Sequence, residues 1–505
     1  MNSKLLSVVI IGLVCTVYLA GLVHYAQVRP IDGDEGYYVT AARLVWEGQT
    51  PYRDFTYPQA PLLPYVYSWI WAIRPQSLIS MRFLSAACGG IAVFVWGMCL
   101  LLSKRIPRDV ALATFSVVLL NPYWVSWNVV VKTFAVANLL MSIAVICLYV
   151  GLHSERVRWY FFAGLVLGAC ASARALYGPL IPCVCLWLLY TEWRTLNRSH
   201  SKTLIFLAGA TCGLLPMILS FLGDPRAFVF NNIHYRPLID SRVSFRHTIH
   251  VYLNVLINLF SNAHYFVAEV LLAVVGGISL LKLFKKQDPA YTNRDYLYFE
   301  LVFLMLLVYI ATALIPFPTF DQYFDSPLVP FLIPFVAVGL RLIFRSGRKW
   351  VFVFALVVPI LFLRDINRDA LQCSSPSVLQ LSSYHHVTET IQANSRADDV
   401  VLSFWPGYVF ESGRRYFSGS ENKFNYFITE KMSSADRARY HVISKDEVMR
   451  AVSQRAVSML VTYPRVFDRL DEDLSPTDLQ AFRAALNANY SLIAKIDFIE
   501  VYGRR

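Results

Sequence analysis

Charge is scarce in this chain. Asp, Glu, Lys and Arg make up 16% of its 505 residues, and 56% of the residues are hydrophobic. Soluble domains carry about 25% charged residues. The mean hydropathy is +0.46. That deficit, with repeated apolar runs of roughly 20 residues, excludes an ordinary soluble protein and predicts a polytopic α-helical membrane protein. Cysteine is present without a pattern. Eight of the nine (15, 88, 99, 147, 170, 183, 185 and 212) fall in apolar runs, and Cys373 alone lies in the C-terminal part. No disulfide framework or metal-ligand spacing emerges, and Cys183 and Cys185 read as small packing residues. A secretory signal peptide is a poor reading of the N-terminus. The apolar run from Leu5 to about Ala26 is too long for one, and no clear cleavage site follows it.

About eleven spans are expected, at 5–27, 80–103, 109–121, 133–152, 159–173, 175–191, 203–222, 263–284, 297–316, 327–345 and 350–364. Basic residues gather in alternate short loops. They are Lys104, Arg105 and Arg108; Arg156 and Arg158; Arg194, Arg198 and Lys202; Lys282, Lys285, Lys286 and Arg294; and Arg345, Arg348 and Lys349. The positive-inside rule puts these loops, and Lys4 at the N-terminus, in the cytoplasm. The loop after the first span and everything past about residue 365 then face outward, toward the periplasm of a cell whose inner membrane holds the chain. The net charge of +12 therefore calls for no nucleic-acid partner. A basic stretch from Arg226 through Arg236, Arg242, Arg246 and His247 falls on the outer side, where topology does not require it. An anionic ligand or lipid headgroup suits it.

Two parts lie outside the membrane in this reading. Residues 1–365 form a transmembrane domain with a long first outer loop, 28–79. Residues 366–505 are mixed in composition and form a small extracytoplasmic α/β domain. Strands are expected at 399–404, 458–463 and 491–502. Helices are expected near 378–394, 433–455 and 475–489, with Pro476 at a helix start. No Gly-rich phosphate fingerprint or nucleophile elbow occurs there, so a covering or acceptor-binding role suits the domain better than a second activity.

The chemistry concentrates in Ile31-Asp-Gly-Asp-Glu-Gly-Tyr-Tyr38. Three carboxylates within four positions beside a membrane need a reason. Read from the residues alone, they are either a solvated cluster capping the next helix or a reactive site. At this point the chain resembles the C-type (GT-C) glycosyltransferase superfamily. It is most similar to the branch with protein O-mannosyltransferases and bacterial aminoarabinose transferases. That branch has an Asp-Glu followed by Tyr in the first outer loop, here Asp34-Glu35-Gly36-Tyr37-Tyr38. A Pro-rich stretch follows, here Tyr57-Pro-Gln-Ala-Pro-Leu62. Then come an Arg opening the second span, here Arg82, and a late outer loop, here Asp321-Gln-Tyr-Phe-Asp-Ser-Pro-Leu-Val-Pro330.

The resemblance implies inverting transfer of a hexosyl or pentosyl group from a polyprenyl-phosphate donor to an acceptor hydroxyl on the outer face. The acceptor would be a glycan, a glycolipid or a protein. Asp34 is the matched base, with Glu35 as its support, and a carboxylate in reach can take the hydroxyl proton. Arg82, Lys132, Arg236, Arg242, Arg246 and Gln59 are candidates for the donor phosphate, where negative charge builds. Tyr38, Tyr57, Tyr323 and Asp325 are candidates for sugar or acceptor contacts. A lipid phosphate leaving group makes no metal or other cofactor obligatory. Two positions depart from the family. Gln59 stands where aminoarabinose transferases have a phosphate-holding Lys, and Lys132 lies near a place where many relatives have Asp. Arg82 can equally snorkel at the interface, and Arg174 becomes a substrate-site candidate if it is buried. The competing functions are a polyprenyl-linked glycan carrier and a membrane scaffold with a ligand-binding outer domain.

Overall fold

A computed structural model of the chain describes residues 3–103, 106–194, 200–239, 245–286, 291–315, 320–345, 379–462 and 476–505. The expected span at 350–364, Cys373 and Arg242 lie outside the described residues. The apolar runs fold as helices: α1 Ser3–Val28, α2 Glu35–Trp46, α3 Leu62–Ile73, α4 Leu78–Leu102, α5 Arg108–Leu119, α6 Pro122–Trp127, α7 Thr133–Ser154, α8 Arg158–Ala173, α9 Leu180–Arg194, α10 Ser201–Gly213, α11 Leu215–Gly223, α12 Pro225–Val229, α13 Tyr235–Ile239, α14 Phe245–Asn262, α15 His264–Lys286, α16 Asn293–Leu314 and α17 Val329–Arg345.

Ten of the eleven expected spans overlap a helix, but fewer meet the length and hydropathy a crossing needs. Among the described residues five helical segments do so. They are Leu78–Leu101, Thr133–Ser154, Ala175–Arg194, His264–Lys282 and Asn293–Leu314. A sixth results if α10 and α11, bent by 55° at their junction, count as one span. The shortfall is local. Helix α5 has only 12 residues, α8 has 16 and α17 has 17, where an upright crossing takes about 20.

The chain forms two compact units, discontinuous in sequence. Unit 1 comprises Met1–Ala26, Ser85–Ile218 and Arg242–Leu371; unit 2 comprises Gln27–Leu84, Leu219–Ser241 and Gln372–Arg505. A boundary at residue 365 therefore divides the chain differently from its packing. The first outer loop belongs with the C-terminal residues because its polar groups are satisfied there. Ile31 N donates to Leu379 O at 2.9 Å, Arg43 Nη1 donates to Val409 O at 3.2 Å, and Thr56 Oγ1 donates to His441 O at 3.0 Å.

Unit 1 is a helical bundle whose tightest pairing is α8 on α10. Four glycines make it, Gly164 and Gly168 facing Gly209 and Gly213. A Cβ on Gly164 would stand 2.0 Å from Phe206 O, and one on Gly209 would stand 2.1 Å from Phe161 O. Small residues at four-residue spacing let membrane helices approach to backbone contact. Helices α15 and α17 meet similarly through Gly276 and Gly339. Helix α14 was expected as part of an outer loop. Its apolar residues Ile249, Leu253, Leu256, Ile257 and Phe260 are exposed, and their helical spacing escapes a search for continuous apolar runs.

Unit 2 holds a five-stranded sheet of β1 Val400–Ser403, β2 Arg415–Tyr416, β3 Met459–Thr462, β4 Tyr490–Ile496 and β5 Ile499–Arg504, in the order β2-β1-β3-β5-β4. Strand β1 runs parallel to β2 and β3, and β5 runs antiparallel to β3 and β4. The single strand expected at 491–502 is therefore a hairpin, turning at Asp497, whose φ is 51°. The helix expected at 433–455 is also two, Ser434–Arg439 and Lys445–Ser453. The second starts with a capping box, Ser444 with Glu447. The helix expected near 475–489 is described over Pro476–Asn489.

Candidate functional site

In unit 2 the acidic run forms the entry to α2. Asp34 occupies the N-cap position, yet its side chain makes no capping bond. The cap-like bonds come from its neighbours. Asp32 Oδ1 accepts from Asp34 N at 2.9 Å, and Glu35 Oε2 accepts from Asp32 N at 2.9 Å. The Asp34 carboxylate turns outward instead. Its Oδ1 lies 2.9 Å from Lys423 Nζ, in a pair whose side chains are 31% and 19% exposed.

Glu35 does the opposite. It is fully buried with Arg82. Arg82 Nε donates to Glu35 Oε1 at 2.8 Å and Nη2 to Oε2 at 2.5 Å. Arg82 Nη1 donates to Arg29 O at 2.7 Å, and Nη2 also to Pro30 O at 3.0 Å. Every nitrogen of this guanidinium serves a protein oxygen. Arg82, expected as a phosphate candidate or as an interfacial residue, is buried here and anchors the acidic run. Glu35, expected as the support of Asp34, is the other half of that anchor.

Aromatic residues pack behind the run. The Tyr37 and Tyr57 rings stack at 5.2 Å, 18° apart, and Tyr38 lies edge-on to Tyr37 at 5.0 Å. The hydroxyls of Tyr37 and Tyr57 are buried and have no hydrogen-bond partner among the described residues. Such groups ordinarily meet water or a ligand. Tyr57 N donates to Asn231 Oδ1 at 2.9 Å, which ties the Pro-rich turn to residues 225–239. That stretch, expected as a basic loop, is helical, with a π-turn at Phe230–His234 between α12 and α13. Arg236 is half-buried on α13, Gln59 is half-buried in the turn, and Arg246 falls in the first turn of α14 in unit 1. Glycine is required at position 36, where a Cβ would stand 2.6 Å from Trp405 Cε2 and 2.8 Å from Gly407 N.

Unit 1 holds a second polar cluster. Lys132 and Arg174 are both buried. Lys132 Nζ donates to Gln322 Oε1 at 3.2 Å and lies 5.1 Å from the Trp127 ring. The Arg174 guanidinium lies 4.4 Å from the Phe134 ring and 5.0 Å from the Tyr323 ring, and Nη1 donates to Thr133 Oγ1 at 2.8 Å. Asp325 is buried beside them and accepts from Trp127 Nε1 at 3.1 Å. Burial pushes its carboxyl up to about 7, with the Trp127 hydrogen bond, and to a lesser extent Arg174, opposing the rise. The structure thus gathers Lys132, Tyr323 and Asp325 with Arg174, and Tyr38 and Tyr57 around Tyr37. Lys423 was not anticipated at all. Nothing local marks it, because its partner Gly33 lies 390 positions away. Among the described residues no three or more His, Cys, Asp or Glu side chains form a metal-binding group.

Residues 58–220 match the family described as dolichyl-phosphate-mannose-protein mannosyltransferase. No curated protein sequence matches the chain. Among solved structures, the chain is similar to ArnT from Cupriavidus metallidurans, with a TM-score of 0.60 and 14% identity over 99% of this chain and 97% of that one. Against the same protein bound to undecaprenyl phosphate the TM-score is 0.63 at 13% identity, with the same coverage. The oligosaccharyltransferase of Archaeoglobus fulgidus gives a TM-score of 0.53 and 12% identity over 95% of this chain and 71% of that one. Residues 58–220 are thus similar to that family, and the chain as a whole has the fold of these solved structures.

Proposed function

We propose that the protein is an inverting glycosyltransferase of the outer membrane face, using a polyprenyl-phosphate sugar as donor. The acceptor hydroxyl oxygen attacks the anomeric carbon. The bond from that carbon to the phosphate oxygen breaks, and its electron pair stays on the phosphate. The hydroxyl proton passes to the Asp34 carboxylate. Attack opposite the leaving group inverts the centre. One observation carries this reading. Of two adjacent carboxylates, Glu35 is sealed against Arg82 while Asp34 is held outward, within solvent's reach. A general base needs that combination of fixed backbone and accessible oxygen. Within unit 1, Lys132 and Arg174 are proposed to bind an anionic group, since guanidinium and ammonium donors suit phosphate oxygens. The reading calls for no metal, because the leaving group is a lipid monophosphate.

A carrier of polyprenyl-linked glycans is the second reading. The buried ionisable residues of unit 1 favour it, because such groups also mark substrate paths in transporters. One experiment separates the two. Purified protein is incubated with labelled polyprenyl-phosphate sugars and a panel of glycan, glycolipid and peptide acceptors, beside Asp34→Asn. Transfer by the wild type and its loss in the variant, by about 100-fold or more, is the expected result. Undiminished transfer by the variant removes Asp34 from the base role. Binding without transfer favours the carrier.

A further inference from the structure

Lys423 stands on the one carboxylate that the proposed reaction needs. Its Nζ donates to Asp34 Oδ1 at 2.9 Å and to Gly33 O at 2.6 Å. While the ammonium holds that oxygen, its positive charge opposes the arrival of a proton on the carboxylate. Two further contacts hold the loop independently of Lys423. Trp405 Nε1 donates to Gly33 O at 2.8 Å, and Gly36 packs against Trp405 and Gly407. The loop is thus built to keep its shape when Lys423 departs.

The two ion pairs of the acidic run differ in kind. Arg82 grips Glu35 by two parallel bonds with neither side chain exposed. Lys423 meets Asp34 by a single point charge in a pair that solvent reaches. A partly exposed single-point pair is weak and exchangeable, and a lysine on its flexible stem can re-aim without moving the backbone. The ammonium also lies 4.8 Å from the Phe424 ring, which lies edge-on to Tyr37 at 6.1 Å. The unpartnered hydroxyls of Tyr37 and Tyr57 belong to the same aromatic group.

We propose that Lys423 guards Asp34 in the empty protein and moves onto the anionic group of the lipid-linked donor when it binds, which frees Asp34 to accept the proton. The inference rests on the transferase reading above and adds an order to it, donor before acceptor. It also gives the C-terminal residues a part in binding the donor.

The test uses full-length protein in nanodiscs and sugar-free undecaprenyl phosphate as the probe, so that binding is read without turnover. Lys423→Met is expected to weaken binding about 10-fold or more, and Lys423→Arg to restore most of it. Asp34→Asn is expected to tighten binding about two- to five-fold, because Lys423 no longer has to leave a partner. A merely structural clamp would not produce that tightening. Thermal melts of each variant establish that it is folded. Binding by a folded Lys423→Met equal to that of the wild type overturns the proposal. So does an absence of tightening in Asp34→Asn, or a wild type that does not bind the probe. Transfer assays on the same preparations keep the two readings apart. Binding that behaves as expected without any transfer sinks the transferase reading and leaves the exchange of Lys423 standing. Normal transfer with binding indifferent to Lys423 does the reverse.

Discussion

Asp34 and Glu35 are neighbours of one charge type with opposite fates, and the partner of each decides which. The guanidinium of Arg82 is planar and can serve both oxygens of Glu35 and two backbone carbonyls together. Removing one member of a buried pair leaves an uncompensated charge, which costs about 3–5 kcal/mol. Glu35→Gln keeps the size and removes the charge, so it should destabilise the protein by about that amount in chemical denaturation of full-length protein in detergent. A loss below about 1 kcal/mol would mean that the pair is dispensable. The acidic run itself was legible in the sequence. The division of labour was not. It depends on Arg82 turning inward and on Lys423 arriving from 390 positions away, and neither leaves a local sign. Arg174 was legible only conditionally, because burial is a property of the packed bundle.

At the scale of elements, continuous apolar runs announced nearly every long helix, and misreadings arose where the signal is discontinuous. Helix α14 carries its apolar residues at helical spacing among polar ones. The β4–β5 hairpin turns at Asp497 without the Asn-Gly or Asp-Gly that usually flags such a turn. The four glycines between α8 and α10 show what a helix pair needs beyond hydrophobicity. In a bilayer the tails are as apolar as the side chains, so close packing supplies the attraction. Gly209→Ala places a methyl group against Phe161 O and Leu165 N, and overpacking of this kind costs about 1–3 kcal/mol. Gly21→Ala is the control, since nothing lies within 4 Å of its added carbon. Thermal inactivation of detergent-solubilised protein should separate the two variants. Equal stability would show that α8 and α10 can part at little cost.

At the scale of the molecule, the sequence order of the parts does not follow the packing. Unit 2 is assembled from three stretches that alternate in sequence with those of unit 1. If unit 2 lies outside the membrane, all three of its stretches emerge on one side of the bilayer. The positive-inside rule predicts that this is the outer side, since Lys and Arg are retained in the cytoplasm during insertion. The consequence can be measured residue by residue. In a background with every native cysteine replaced, a cysteine at Asn394, exposed in unit 2, should react with a membrane-impermeant maleimide added to intact spheroplasts. One at Glu155, exposed between α7 and α8, should react only after the membrane is opened. The reverse pattern would invert the protein and place Asp34 in the cytoplasm, which would end the outer-face reaction. Labelling of both sites in intact cells would break the alternation of the short loops on which the expected topology depends.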